Sequence, residues 1–296
     1  MPDILYAHKD RRGPGGGFWF GPREAVDGPW EDRLEALVDQ ALIEENSRQT
    51  PRAYLGGSLL GMECLRALAF EWHHQEAEYR AYLEATQAGQ TPPRRNLPFG
   101  GRALRRFRLG HLQEDETARW LQIAGMDLRT VKDDGRQFGF AVAWDATVGR
   151  YRLAGHIDGV ILSSPVPEVP VPALWEHKIM NSKKWREFVS KGVEKSHPIY
   201  YYQCQTYMAY MELHNALFTA FNTDTSELWH ELIPFNADHA QWATDRGVQV
   251  LESGAPEELP RIARDPSDFR CKFCDYHALC WSQPTQSATP AKPAWL

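Results

Sequence analysis

Asp158, Glu176 and Lys178 are the residues of this 296-residue sequence whose types and spacing most directly imply chemistry. They fall in Gly155-His156-Ile157-Asp158-Gly159-Val160-Ile161 and, after a Pro-rich stretch, in Leu174-Trp175-Glu176-His177-Lys178. If the second segment is a strand, alternation places Glu176 and Lys178 on one face and His177 on the other. If the two segments pair through the intervening loop, Asp158 lies beside Glu176. Two converging carboxylates make a hard oxygen site suited to Mg²⁺ or Mn²⁺. A lysine two residues along can position or help deprotonate an attacking water and offset charge on a phosphate. These are the parts that phosphodiester hydrolysis needs. An E-x-K triplet alone is most often a solvated cross-strand pair, so the reading depends on its neighbours in the chain.

In that order the sequence resembles the RecB-like and λ-exonuclease-like branch of the PD-(D/E)XK nucleases, especially forms carried by bacteriophages. The family pattern is a helix bearing Glu or His, then G-x-x-D-G, then E-x-K on the next strand, then a helix with Q-x-x-x-Y. Gly155-x-x-Asp158-Gly159, Glu176-x-Lys178 and Gln203-x-x-x-Tyr207 follow it, over roughly residues 54 to 281. Gln203 and Tyr207 are four apart and so share a helical face. The resemblance implies that they clamp a DNA strand near the metal, completing a catalytic set with Asp158, Glu176 and Lys178.

The helical motif is Gly110-His111-Leu112-Gln113-Glu114. Family spacing from the glycine favours Glu114 as metal ligand, with His111, one turn earlier, as the second candidate; Glu116 reads as a solvated helix charge. The implied ligands are then Glu114 (or His111), Asp158, Glu176 and the backbone carbonyl of His177. The implied activity is a DNA exonuclease acting on single strands or duplex ends, in phage-type replication or recombination. A structure-selective or nicking endonuclease is one alternative, and a non-catalytic iron–sulfur DNA-binding protein is another. No motif decides cleavage polarity, a homo-oligomeric state or a recombination partner protein.

A second constellation is Cys271-Lys272-Phe273-Cys274-Asp275-Tyr276-His277-Ala278-Leu279-Cys280, which reads C-x₂-C-x₅-C. A zinc site would normally supply a second local pair. No cysteine follows Cys280, and Cys64 is the expected fourth donor. One remote cysteine ahead of a C-terminal triplet resembles the iron–sulfur staple of AddB-type nucleases and CRISPR-adaptation exonucleases. Four thiolates suit a [4Fe–4S] cluster, with zinc as the alternative. Such a centre would close a loop of about 200 residues, a large constraint on the unfolded chain. Cys204 reads as a buried small hydrophobe and His277 as a packing residue, with ligation as its alternative role.

Phosphate contacts are expected from Arg94, Arg95, Arg102, Arg105, Arg106 and Arg108, a stretch without acids that leads towards Glu114. Lys183, Lys184, Arg186, Lys191 and Lys195 form a second basic run. Phe99, Phe107, Trp185, Tyr200, Tyr201 and Tyr202 are candidates to stack on unpaired bases. No base-reading motif is evident, so little sequence specificity is expected. The net charge of -6 argues only weakly against a protein that coats nucleic acid non-specifically, and it leaves room for an enzyme that grips nucleic acid locally.

These residues need elements to hold them. Apolar spacing predicts a helix from Trp30 to Ser47, a second beginning near a Ser58 cap and running through Phe70, and a third from Leu109 to Ala124 stopped by Gly125. Strands are expected over 137–144, 151–162 and 173–180, with two more at 216–222 and 227–234. Helices are expected over 200–213 and 238–253. The fold class expected is α/β, with a restriction-endonuclease-like core (a central mixed sheet flanked by helices), a helical N-terminal portion and a Cys-rich C-terminal segment.

A single nuclease domain over 1–296 is expected. Within it lie an irregular aromatic arm at 1–29, a helical portion at 30–108, the core at 109–253 and the cysteine segment at 254–296. With 43% hydrophobic residues the chain is globular. Without an apolar run near the roughly 20 residues a bilayer demands, and with a polar N-terminus, it reads as cytoplasmic, in the host if phage-encoded.

Overall fold

The computed structural model describes residues 29–96 and 100–282. The expected aromatic arm up to residue 28, Phe99 and the tail from residue 283 lie outside the described residues. The described residues fall into two compact units, one within the bounds Met1–Pro51 and Glu78–Leu112, the other within Arg52–Ala77 and Gln113–Leu296.

In the first unit, helix α1 (Trp30–Ser47) follows Pro29 and carries Glu31 and Asp32 in its first turn, where the helix dipole favours acids. Its outward carboxylates take up basic residues: Arg105 pairs with Asp39 and with Glu35 (2.7 Å), Arg102 with Glu35 (3.6 Å), and Arg94 with Glu44 (3.2 Å). Arg95 pairs with Glu78 at 3.6 Å.

In the second unit, strand β1 (Leu55–Gly56) is followed by a 3₁₀ turn at Gly57–Leu59, where an α-helix was expected to begin. Helix α2 (Leu65–Gln87), which counts with this unit through Ala77 and with the first from Glu78, starts later because Gly56, Gly57 and Gly61 weaken a helix across that stretch. The Cys64 carbonyl accepts the first helical bond, from Leu68 N–H at 3.1 Å. Helix α3 (Gly101–Ile123), which counts with the first unit through Leu112 and with the second from Gln113, begins eight residues before the expected start at Leu109. Its arginines, alanine and leucines are good helix formers, with no Pro or inner Gly before residue 110, so the basic stretch is itself helical. Gly125, at φ 97°, ends the turn as expected.

The strands are β2 (Asp127–Arg129), β3 (Gly139–Asp145), β4 (Arg150–His156), β5 (Gly159–Ser163) and β6 (Ala173–Met180). The single strand expected over 151–162 is thus two, and they belong to different sheets. One sheet has the order β1-β4-β3. After helices α4 (Ser182–Lys191), α5 (Val193–Ser196) and α6 (Pro198–Met211) come β7 (Asn215–Asn222) and β8 (Leu228–Pro234), which complete a second sheet ordered β2-β5-β6-β7-β8. β6 and β7 run parallel and the other pairs of that sheet antiparallel. A parallel pair requires a long crossover, which α4 to α6 supply. Helix α7 (Ala237–Glu252) and the short helices α8 (Phe269–Lys272) and α9 (His277–Ser282) end the described chain.

The fold is therefore mixed α/β, as expected from the sequence. One face of the larger sheet, through Leu174, Met180, Phe218 and Ala220, packs with Cys204, Tyr207 and Met208 of α6. The other, through Ile161, Trp175 and Leu217, packs with Ala118 and Leu121 of α3. Among the described residues no helix is long and apolar enough to cross a membrane.

Candidate active site

Asp158 occupies the break between β4 and β5. Its Oδ2 accepts the backbone N–H of His177 at 2.8 Å, which fastens it to β6. The antiparallel register pairs Gly159 with Trp175, so Asp158 comes beside Glu176 as expected. Both glycines of the Gly155-x-x-Asp158-Gly159 motif are needed for space. A Cβ on Gly155 would stand 2.7 Å from the Tyr207 and Phe140 rings, and one on Gly159 would stand 2.8 Å from Leu128 Cδ1.

Glu176 is wholly buried, at 0% exposure. Its Oε1 accepts a hydrogen bond from Gln203 Nε2 at 2.6 Å and another from Lys178 Nζ, while Oε2 is buried without a partner among the described residues. Lys178 also donates to the His177 carbonyl at 3.1 Å and lies over the Tyr200 ring at 5.4 Å. Burial, then the charges of Glu114 and Glu176, hold the Asp158 carboxyl well above the usual carboxylate range. Burial also raises Glu176, against the pull of Lys178. Burial alone would lower Lys178, but Glu176 and Asp158 more than offset it and keep the ammonium charged.

Glu114 in α3 thus acts electrostatically on both carboxylates. His111 lies on the same helix but belongs to the smaller unit. His177 turns its ring to the opposite face of the sheet, 5.7 Å from Trp175, where burial, then Lys178 and His230, lower it to about 3. Its side chain is not directed to the carboxylates; its carbonyl is the group available beside Lys178. Glu116 is an exposed helix charge near Arg119, at 3.6 Å.

The donors fit a hard divalent cation: an orphaned buried oxygen on Glu176, the Asp158 carboxylate beside it, and Glu114 near both. In this conformation no three His, Cys, Asp or Glu side chains among the described residues form a finished ligand set, and Lys178 answers the Glu176 charge.

Tyr207 is 3% exposed, with its ring edge-on to Phe140 at 5.6 Å and its hydroxyl towards Ser58. It packs where the resemblance implied a DNA clamp. Tyr201 and Tyr202, expected to stack on bases, are likewise buried, because α6 is covered along most of its length. Tyr200 is half-buried and stacked on His197, and Trp185 packs against the main core.

Arg105, expected on phosphate, is committed to Asp39 and Glu35, and Arg102 lies near Glu35. Arg106 and Arg108 are exposed, as are Lys183 and Lys184 in the first turn of α4, whose N-cap is Asn181.

Cys64, Cys271, Cys274 and Cys280 line one cavity, although Cys64 is some 200 residues away in sequence. Burial raises the Cys271 and Cys274 thiols. The cavity's other walls include Ala67, Phe70, Ile262 and Trp281, with no carboxylate among its described lining residues. Four soft sulfur donors are of the type that suits an iron–sulfur cluster or zinc, although in this conformation they too form no finished ligand set among the described residues. Cys204 is instead a fully buried core residue, and His277 bonds the Pro266 carbonyl at 3.1 Å.

Two features escaped the sequence reading. The Gln203 amide meets Glu176 directly, although its place in Q-x-x-x-Y had marked it as important. A polar chain also runs behind the sheet from Trp175 Nε1 to Thr219 Oγ1 (3.1 Å) and on to His230 Nδ1 (3.0 Å). No local pattern announces it.

No family profile matches the sequence, and no curated protein matches it. Among solved structures the chain is similar to an alkaline exonuclease, LHK-Exo, from Laribacter hongkongensis, with 14% identity, a TM-score of 0.40 and coverage of 72% of this chain and 90% of that one. The same exonuclease in complex with dAMP gives 17% identity and a TM-score of 0.41, over 70% of this chain and 90% of that one. A protein designated SSO0001 gives 14% identity and a TM-score of 0.43, over 85% of this chain and 98% of that one.

Proposed function

We propose that this chain is a metal-dependent deoxyribonuclease that hydrolyses phosphodiester bonds, working as an exonuclease on single-stranded DNA or duplex ends. The observation that carries this reading is the pairing of half-buried Asp158 with fully buried Glu176, with one Glu176 oxygen orphaned, Glu114 acting on both and Lys178 charged beside them. Two like charges are gathered at a cost to the fold, which a purely structural role leaves unexplained.

Asp158, Glu176 and Glu114 would hold Mg²⁺ or Mn²⁺, with the His177 carbonyl as a further oxygen donor. When bound, the ion supplies Lewis acidity towards a phosphate oxygen and a more acidic water. Lys178 would orient the attacking water and face the charge that develops on the phosphate oxygens. Gln203 fixes the Glu176 carboxylate in one rotamer, and the His177 N–H does the same for Asp158. The four cysteines would hold a structural [4Fe–4S] cluster, or zinc, that ties the start of α2 to the C-terminal segment.

The test is cleavage of end-labelled linear DNA with Mg²⁺ or Mn²⁺ by wild type, Asp158→Ala and Lys178→Ala. Undiminished cutting by the variants would refute the assignment. Cutting of a circular single strand would shift the reading to an endonuclease. DNA binding without metal-dependent cleavage would replace it with a non-catalytic binding protein.

A further inference from the structure

Arg261 is 8% exposed and lines the same cavity as the four cysteines. Its Nε donates to Cys280 Sγ at 3.3 Å, its Nη2 donates to the Cys280 carbonyl, and its guanidinium lies over Trp281 at 4.2 Å. The side chain therefore grips one cysteine at both sulfur and backbone. Four thiolates around a cluster or a divalent ion leave net negative charge inside the protein, and such charge is costly unless answered. The described lining offers no acid, but it does include two arginines. Arg270 is occupied by Asp268 at 2.8 Å and lies near Glu63 at 3.5 Å. Arg261 is the one that bonds a sulfur.

We propose that Arg261 is a positioning residue of the cysteine centre: it fixes Cys280 and supplies positive charge against the thiolate set. This rests on the reading that the cysteines bind a metal or cluster. A second buried arginine, Arg66, provides a contrast. It binds the carbonyls of Leu259 (2.6 Å) and Glu257 (2.9 Å), bracing the segment before Arg261 against α2, and these bonds go to backbone alone.

The experiment uses full-length protein purified without oxygen: wild type, Arg261→Gln, Arg261→Lys and Arg66→Gln. Metal content per chain, the rate of metal release to a chelator and, for iron, the midpoint potential are measured beside thermal unfolding. Arg261→Gln is expected to release metal roughly tenfold faster and to shift the potential negatively, since hydrogen bonds and charge at the sulfurs set it. Arg261→Lys keeps the charge but loses the two-point grip, so it releases faster with a potential nearer wild type. Arg66→Gln unfolds at lower temperature with an unchanged potential.

Loaded wild type and Arg261→Gln with equal release rates and potentials would overturn the inference alone. Wild type that carries no metal would overturn the cofactor reading and this inference with it. Should Arg261→Gln fail to fold, Arg261→Lys decides: release at the wild-type rate refutes the proposal.

Discussion

Gln203 donates its amide to Glu176 Oε1 at 2.6 Å within a buried site, leaving Oε2 as the carboxylate's unpartnered atom. The bond spans from α6 to β6 and fixes which oxygen of Glu176 can turn to a cation. Gln203→Ala is expected to reduce turnover roughly 10- to 100-fold by loosening a ligand, with a smaller change in KM. It should also cost about 1–3 kcal/mol of stability, since Glu176 loses a buried partner. Steady-state kinetics and chemical denaturation check both numbers. Wild-type turnover would remove Gln203 from the site.

Asp158 is disfavoured as an anion by burial, Glu114 and Glu176. A carboxyl raised in the folded state weakens folding once the pH exceeds its unfolded value, so at neutral pH the charge is a burden. Asp158→Asn keeps an acceptor for the His177 N–H and removes that charge. It should abolish cutting while raising the stability of the metal-free protein. Wild type should gain about 2.7 kcal/mol when Mg²⁺ or Mn²⁺ is present at a hundred times its Kd, and Asp158→Asn should gain little. Thermal shifts with and without EDTA measure this directly.

Gly155 lies against Tyr207 so closely that a Cβ would approach to 2.7 Å. Gly155→Ala should therefore cost about 1–3 kcal/mol through overpacking. Tyr207→Phe keeps the ring and should leave stability within about 1 kcal/mol of wild type. A sharp loss of DNA binding by Tyr207→Phe at unchanged stability would show that the hydroxyl reaches the DNA and would restore the clamp role.

The arginines of α3 should separate into two kinds. Arg105 is held by Asp39 and Glu35, so Arg105→Ala should lower stability more than DNA affinity. Arg106→Ala and Arg108→Ala should instead weaken binding across DNA sequences and reduce the salt dependence by about one unit of slope for each phosphate no longer neutralised. Binding isotherms at several salt concentrations distinguish the two outcomes.

Loss of one cysteine should affect the whole C-terminal segment. Cys274→Ser is expected to abolish the bound metal and to lower the unfolding temperature, because a link across about 200 residues is opened. The absorbance of anaerobically purified protein and its metal content test this, and zinc in place of iron would select the alternative cofactor.

The sequence by itself determined the α/β class, most helix and strand positions, and the order of Asp158, Glu176, Lys178 and Gln203. Periodicity and alternation act within a few residues, and so they are visible in one dimension. They also put Glu176 and Lys178 on one face of β6, as the structure has them.

Other features needed the tertiary structure. The division of residues 151–162 into strands of two sheets depends on packing around Gly155 and Gly159. The burial of Tyr201, Tyr202 and Tyr207 depends on what covers α6, and the commitment of Arg105 depends on α1. Arg261 reaches Cys280 by folding across 19 residues, and Cys64 joins the cysteine triplet from the far end of the chain. Such contacts depend on long-range packing and desolvation, which leave no local period in the sequence.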